Sequence, residues 1–239
     1  LPHVLRRGCQ KFPDMQALSR ELDRLYGASI EPVVRRKGDV VCAGFVMDVV
    51  EDRYTGGEPV FARAADLLGA CVLSPHLEKG AFSGDYVGGE RENLADRIKA
   101  QLNDEVTYAM RRMTKFMYGD ESCAISELGE EEDARAVEAR GLYDYYEKLL
   151  STAPVELFYC GAQGQEQARD ALTRAFSALP RAAGRQAVRN ALCAGAARLR
   201  TFEDRLDVTQ GKLSMGFRTG LRAGNTDQFA LMLLNAVFG

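Results

Sequence analysis

Hydrophobic residues recur every three or four positions in several parts of the chain, which is the period of an amphipathic helix. Between residues 13 and 26 the leucines fall on one face, a proline lies near the start, and Gly27 follows the end. The same period predicts helices over residues 58–73, 90–118, 131–151 and 163–179, and from Asp227 onwards.

Other stretches alternate between apolar and polar residues or form short apolar runs, as β-strands do. The runs ASIEPVVRR and DVVCAGFVMDVV are joined by Lys37-Gly38, which predicts a β-hairpin. Residues 154–161 and 206–218 predict two further strands. Antiparallel strands mixed with helices in this order predict an α+β fold, an antiparallel sheet with helices packed on one face, rather than a doubly wound parallel sheet.

Composition and charge exclude two broad classes of partner. The net charge is −3 and the isoelectric point is about 5.6, so we expect no nucleic-acid partner. The basic tripeptide at 35–37 is interpreted as a solvated hairpin tip. No run approaches the roughly 18 consecutive apolar residues that a membrane span needs, so we expect no membrane partner.

The six cysteines predict a reducing environment. They form no CxxC pair and no spacing typical of a disulfide framework, so we interpret them as reduced thiols of a cytoplasmic protein. Their apolar neighbours suit small hydrophobic side chains better than zinc ligands.

Several segments together resemble one enzyme family. The segment FPDMQALSRELDRLYGASIEPVVRRKGD resembles the region after the zinc-binding helix of insulinase- and pitrilysin-type (inverzincin) metallopeptidases. GGERENLADRI and YDYYEKLLSTAPVELFYCG resemble two later segments of these enzymes, and DVTQGKLSMGFRTG resembles the first strand of their second repeated domain. The segments LDRLYGAS and NDEVTYAMRRMTKFMY resemble sequences of the non-catalytic bacterial YmfF-like branch of this family.

The resemblance implies a fold and a domain organisation. The expected fold is that of the LuxS and mitochondrial-processing-peptidase type of metallohydrolase. Residues 1–204 would form most of the first peptidase-like repeat, without its N-terminal strands, and residues 205–239 would begin a truncated second repeat.

The resemblance also locates the family's zinc motif, HxxEH, in which two histidines on one helix face bind Zn²⁺ and the glutamate acts as general base. Aligning HVLRRGC with this motif puts His3 on the second histidine and Pro2 on the glutamate. The first histidine would precede Leu1. Proline carries no basic side chain and disfavours the helix that would hold both histidines.

The family's third zinc ligand is a glutamate on a later helix. Aligning ERENLADRI with that helix matches Glu90 to a glutamate at its start and puts Arg97 at the ligand position. A guanidinium stays charged and has no lone pair to donate. Shifting the alignment by one residue would put Asp96 there instead. We therefore expect Pro2, His3, Glu90 and Arg97 to mark a degenerate zinc site, without catalytic residues, metal or other cofactor.

These residues favour a catalytically inactive homologue of zinc metallopeptidases. The resemblance implies a peptide-binding or structural subunit of a two-chain complex, with a zinc-bearing (YmfH-like) homologue as its heterodimer partner and a peptide as ligand. Two alternatives stay open. In the first, the chain is an active zinc endopeptidase whose HxxEH motif is trimmed or misaligned. In the second, it is a binding or assembly module with no peptide role.

The same resemblance predicts self-association of this 239-residue chain. If the family's first strands precede Leu1, the sheet has an open edge on which the strand at 206–218 of another copy could dock. Solution scattering over a concentration series measures the mass, and a monomer at every concentration would show the expectation to be wrong.

Overall fold

The structure is a computed structural model that describes residues 1–119, 121–180, 198–221 and 224–238. The chain divides into two compact units, each described here by itself. The first unit combines Leu1–Ala100 with Glu127–Val188, and the second combines Gln101–Ser126 with Arg189–Gly239.

Helices and short antiparallel strands alternate along the described chain. In order they are α1 (Pro2–Leu5), α2 (Met15–Arg24), β1 (Ser29–Lys37), β2 (Val40–Asp48), α3 (Val60–Leu73), β3 (Leu77–Glu78), β4 (Ala81–Phe82), α4 (Gly84–Ala100), α5 (Glu105–Tyr118), α6 (Glu131–Arg135), α7 (Ala139–Thr152), α8 (Gln165–Ala175) and α9 (Asp227–Phe238). Single turns of 3₁₀ helix occur at Asp52–Tyr54, Gln101–Asn103 and Ser122–Ala124. Among the described residues, no helix is both long and apolar enough to cross a membrane.

The predicted hairpin is confirmed. Strands β1 and β2 pair antiparallel from Ser29 opposite Asp48 to Lys37 opposite Val40. The two loop residues begin with Gly38, whose φ of 61° lies in the left-handed region that glycine enters without steric cost. Glycine at this position therefore fixes the register of the hairpin.

The α+β class is confirmed as a mixture of helices and small antiparallel hairpins. The second hairpin pairs β3 with β4, and the described residues contain these two separate two-stranded sheets. The predicted strands at 154–161 and 206–218 are wrong, because neither segment pairs with another strand. Alternation in sequence predicts an extended backbone, but a strand also needs a neighbour that exchanges hydrogen bonds with it.

Two of the predicted helices are interrupted. The helix predicted over 90–118 becomes α4 and α5, because the Asp104 carboxylate accepts hydrogen bonds from the backbone N–H groups of Val106 and Thr107 and so begins a new helix. The helix predicted over 131–151 becomes α6 and α7. The helices predicted at 13–26, 58–73, 163–179 and from Asp227 are confirmed with slightly different bounds.

The first core of unit 1 lies between α2, α3 and the hairpin. Its fully buried side chains are Cys9, Leu25, Ile30, Val60 and Cys71. Cys9 and Cys71 interact by a thiol hydrogen bond, and this bond together with burial raises the pKa of Cys71. Both are free thiols, as are the exposed Cys42 and Cys160. The prediction for Cys193 lies outside the described residues.

A second core holds α1 in place. Val4 and Leu5 of α1 pack with Phe82, Val87 and Tyr146 in one buried cluster. The Tyr146 hydroxyl donates a hydrogen bond to the Val72 carbonyl oxygen at 3.0 Å, and burial raises its pKa to about 12. Because two of the four residues of α1 are core residues, the backbone position of the helix is well defined.

Unit 2 consists of α5 beside residues 198–221, followed by α9. The rings of Phe116 and Phe202 lie 5.0 Å apart, and Arg112 and Tyr108 donate to the Asp204 carboxylate at 2.6 and 2.9 Å. Three methionines recur at helical spacing along α5, at 110, 113 and 117, and Met110 is 55% exposed. Met113 and Met117 are half-buried beside Gly216.

Gly69 sets the approach of α3 to α8. A Cβ atom added at Gly69 would lie 2.4 Å from the Ala175 carbonyl oxygen, a backbone atom that cannot rotate away. The close contact packs Phe61 and Ala65 of α3 against Ala168 and Ala171 of α8. A side chain at position 69 would force the helices apart.

We therefore expect Gly69→Ala to lower the free energy of unfolding by about 1–3 kcal/mol, although alanine is the better helix former. Gly88→Ala is the matched control, because a Cβ atom there has no heavy atom within 4 Å and the site lies inside α4. The free energy of unfolding of the Gly88→Ala control should rise by about 0.5–1 kcal/mol, because alanine has the higher helix propensity. Urea unfolding measures both changes, and equal or higher stability of Gly69→Ala would contradict this packing.

Candidate functional site

Helix α1 presents His3 beside α4. Pro2 occupies the first turn, where its missing N–H group costs nothing and its fixed φ suits a helix start. The side chain of Pro2 is buried, whereas that of His3 is 41% exposed. The two predicted site residues of α1 therefore lie on different sides of this short helix.

Glu90 and Arg97 lie on one face of α4, because seven residues make almost two complete helical turns. Asp96 is displaced from this face by about 100°. The structure thus brings Arg97, and not Asp96, to His3, whereas the alignment of either residue with the family's ligand position stays a prediction.

Four side chains form a chain of polar contacts. Arg7 Nε donates to Glu90 Oε1 at 2.6 Å, and Glu90 Oε2 lies 4.0 Å from His3 Nδ1. On the other side of the imidazole, His3 Nε2 lies 3.5 Å from Arg97 Nη1. Because a guanidinium can only donate, we infer that Nε2 carries the lone pair and that Nδ1 carries the proton facing Glu90.

A small cavity of about 150 Å³ opens beside these contacts, and we call it the α1–α4 pocket. It is lined by His3, Arg6, Arg7, Met15 and Glu90. Arg6 is engaged only loosely, by an ion pair of 3.8 Å with the exposed Glu31. The pocket therefore combines cationic donors with one carboxylate that is already bound to Arg7.

These residues do not fit a zinc ion. A tetrahedral catalytic site needs three nitrogen, sulfur or oxygen ligands around the metal. Here the Nε2 lone pair of His3 faces a guanidinium, and the Glu90 oxygen nearest to Arg7 is used in an ion pair. Among the described residues, no group of three or more His, Cys, Asp and Glu side chains is arranged to hold a metal.

The charges around His3 keep its imidazole neutral. Partial burial lowers its pKa, the Glu90 carboxylate opposes this by raising it, and Arg97 and Arg6 lower it further. At neutral pH the ring is therefore uncharged and able to accept a hydrogen bond at Nε2.

A larger groove lies within unit 2. It has a volume of about 1690 Å³ between α5 and residues 198–218. Its charged lining residues are largely paired within the unit, for example Arg112 with Asp204 and Lys212 with Glu105 at 3.4 Å. It contains neither histidine nor paired carboxylates, so its side chains offer no general acid or base arrangement.

Comparison with known proteins connects this geometry to a family. Residues 136–239 match the family described as peptidase M16 inactive domain. The whole chain is 30% identical over 240 residues to the probable inactive metalloprotease YmfF of Bacillus subtilis (strain 168). The chain is similar to M16 peptidase homologues that are described as inactive. The resemblance to insulinase- and pitrilysin-type metallopeptidases is thereby confirmed.

Solved structures support the same fold. A conserved protein from Enterococcus faecalis V583 superposes with a TM-score of 0.70 at 25% identity, over 80% of this chain and 46% of that one. A peptidase M16 inactive domain from Pseudomonas fluorescens superposes with a TM-score of 0.58 at 15% identity, over 81% of this chain and 43% of that one.

The matched region is only part of these relatives. The chain spans 56% of the length of YmfF and about half of the solved structures. The domain boundary predicted at 204/205 stays a prediction.

Two residues of the site were missed from the sequence. The sequence analysis did not single out Arg7 or Met15, yet Arg7 binds Glu90 and Met15 lines the pocket. The adjacent pair Arg6-Arg7, three and four residues after His3, was the only available signal. The sequence does not show which residue this arginine pair contacts, because its partner Glu90 lies on α4, which is remote in sequence.

The arrangement predicts how the His3 imidazole titrates. We expect the pKa of His3 to lie below the ordinary value of 6.5. The Arg97→Gln variant loses a neighbouring cation, so the pKa of His3 should rise. The Glu90→Gln variant loses an anion, so the pKa of His3 should fall. NMR titration of the ring signals measures all three, with His76→Gln to assign the only other histidine.

The sign of the linked stability change follows from the lowered pKa. The unfolded chain binds the proton more tightly, so the contribution of His3 to stability is fully present above pH 6.5. It is lost as the pH falls from 6.5 through the folded-state pKa. A pKa above 6.5 in the native protein, or no response to Arg97→Gln, would contradict the described contacts.

Proposed function

We propose that the chain is the non-catalytic part of a peptidase-like protein, which binds or encloses peptides without cleaving them. The observation that carries this proposal is the Arg97 guanidinium 3.5 Å from the Nε2 atom of His3. In a zinc site that lone pair would face a cation to be coordinated. Here it faces the Arg97 guanidinium, which donates hydrogen bonds and whose positive charge opposes a metal cation at the same position.

The absence of a base at Pro2 supports the same proposal. In the family the glutamate beside the second histidine activates the attacking water. The buried pyrrolidine ring of Pro2 has no atom that could accept a proton. Restoring a metal ligand at position 97 alone would therefore still leave the site without a general base.

The names of the relatives point the same way. The matched family is described as an inactive domain, and YmfF is described as a probable inactive metalloprotease. Those descriptions concern the relatives. For this chain they support a subunit that acts beside a zinc-bearing homologue, its proposed heterodimer partner.

A peptide-binding role is also compatible with the hairpin. In the described part of the chain, β1 and β2 pair only with each other, so each strand has a second edge of backbone N–H and C=O groups. An extended peptide could add to such an edge by β-augmentation. The free thiols support the further proposal of a cytoplasmic location.

The two alternatives lead to different results in a single experiment. An active zinc endopeptidase would bind about one zinc per chain through residues outside the α1–α4 pocket. An assembly module without a peptide role would bind neither zinc nor peptide.

The test uses the full-length protein, purified alone and together with its nearest encoded zinc-type homologue. We expect no stoichiometric zinc by elemental analysis and no cleavage of a fluorogenic peptide library by the protein alone. The pair should contain about one zinc and cleave the library, and the zinc-type homologue alone is the control. One zinc in the lone chain, or cleavage by it, would overturn the proposal.

A further inference from the structure

We propose that the α1–α4 pocket together with Arg97 binds a carboxylate group of a peptide. In this proposal, the residues that align with the family's zinc site bind a negatively charged carboxylate instead of a metal cation. This inference rests on the proposed peptide-binding function, and its test below can fail separately from that function.

The first argument is the balance of charge. Arg6, Arg7 and Arg97 surround the neutral His3, and the pocket contains one carboxylate, that of Glu90. Arg7 binds this carboxylate by its Nε and Nη2 atoms at 2.6 and 2.5 Å. Glu90 compensates Arg7, and the exposed Glu31 lies 3.8 Å from Arg6, so the positive charge that remains at the rim is that of Arg97.

The second argument is the state of Arg97. Its side chain is exposed, and among the described residues it forms no ion pair with any carboxylate. Within the part of the chain that the structure describes, its polar contact is the one with His3 Nε2. A guanidinium carries five N–H donors in a planar fork that matches a carboxylate, so most donors of Arg97 are available to a ligand.

The third argument is orientation. The imidazole is held between Glu90 on the Nδ1 side and Arg97 on the Nε2 side. Arg7, two residues beyond the end of α1, binds Glu90, and its Nη1 atom also contacts Met15 Sδ at 3.4 Å. The His3 ring and the Arg7–Glu90 pair are therefore positioned before a ligand arrives, which lowers the entropy cost of ordering this side of the pocket on binding.

The size of the cavity limits the ligand to a small group. About 150 Å³ accommodates a carboxylate and a few carbon atoms, but not an extended stretch of peptide. The ligand atoms are therefore a C-terminal carboxylate or the side chain of an acidic residue. Met15 supplies an apolar wall for the carbon atoms next to the carboxylate.

The experiment observes the His3 ring signals by NMR in the full-length protein while small probes are added at constant ionic strength. The probes are acetylated tri-alanine with a free C-terminal carboxylate, the same peptide as its C-terminal amide, and an amidated form that ends in glutamate. Inorganic phosphate is the fourth probe. The variants are Arg97→Gln and the control Arg169→Gln, which removes an exposed arginine of α8 paired only with Asp170.

We expect the free carboxylate or the glutamate probe to shift the His3 signals and to bind about ten-fold more tightly than the plain amide. The stronger of the two identifies the source of the carboxylate. Arg97→Gln should abolish the difference between carboxylate and amide, whereas Arg169→Gln should retain it. The ring signals of His76 should stay unchanged throughout.

Three results would overturn the inference: equal binding of carboxylate and amide, an unchanged preference in Arg97→Gln, or phosphate binding as tight as that of the carboxylates. None of these results bears on whether longer amidated peptides bind elsewhere on the protein. Conversely, zinc in the lone chain would refute the proposed function, whatever the probes show.

Discussion

The ion pair between Arg7 and Glu90 is the contact on which the candidate site depends. It joins Arg7, two residues beyond the end of α1, to the middle of α4 at 2.5 Å, with both side chains mostly shielded from water. Charge-assisted hydrogen bonds of this kind contribute about 1.5–3 kcal/mol each when partly buried. Without this contact Glu90 would be free to approach His3, and the distinction between an anion site and a metal site would be weaker.

The cores explain why such a short helix can hold a functional residue. Helix α1 has four residues, too few to be stable alone, yet Val4 and Leu5 lie in the cluster around Phe82 and Tyr146. The exposed His3 thus acquires a defined position from its buried neighbours. The polar contacts then choose the ring orientation, because Arg97 faces one nitrogen and Glu90 the other.

The electrostatics separate this site from a zinc site more clearly than the loss of any one ligand does. A metal ion would have to bind beside the positive charges of Arg6, Arg7 and Arg97, and the carboxylate that lines the pocket, Glu90, is already paired with Arg7. Homology to inactive M16 domains and to YmfF is consistent with this charge reversal. Because these surroundings are positively charged, they favour a negatively charged carboxylate as ligand.

The sequence by itself determined the helices with a clear 3.6-residue period, the hairpin at Gly38, the family resemblance, and the residues Pro2, His3, Glu90 and Arg97. These features are encoded locally or in motifs. Only the tertiary structure decided that Arg97, not Asp96, faces His3, that Arg7 binds Glu90, and that the segments at 154–161 and 206–218 are not strands. Each of these outcomes depends on a partner remote in sequence, because strand pairing and ion pairing require two segments to meet in space.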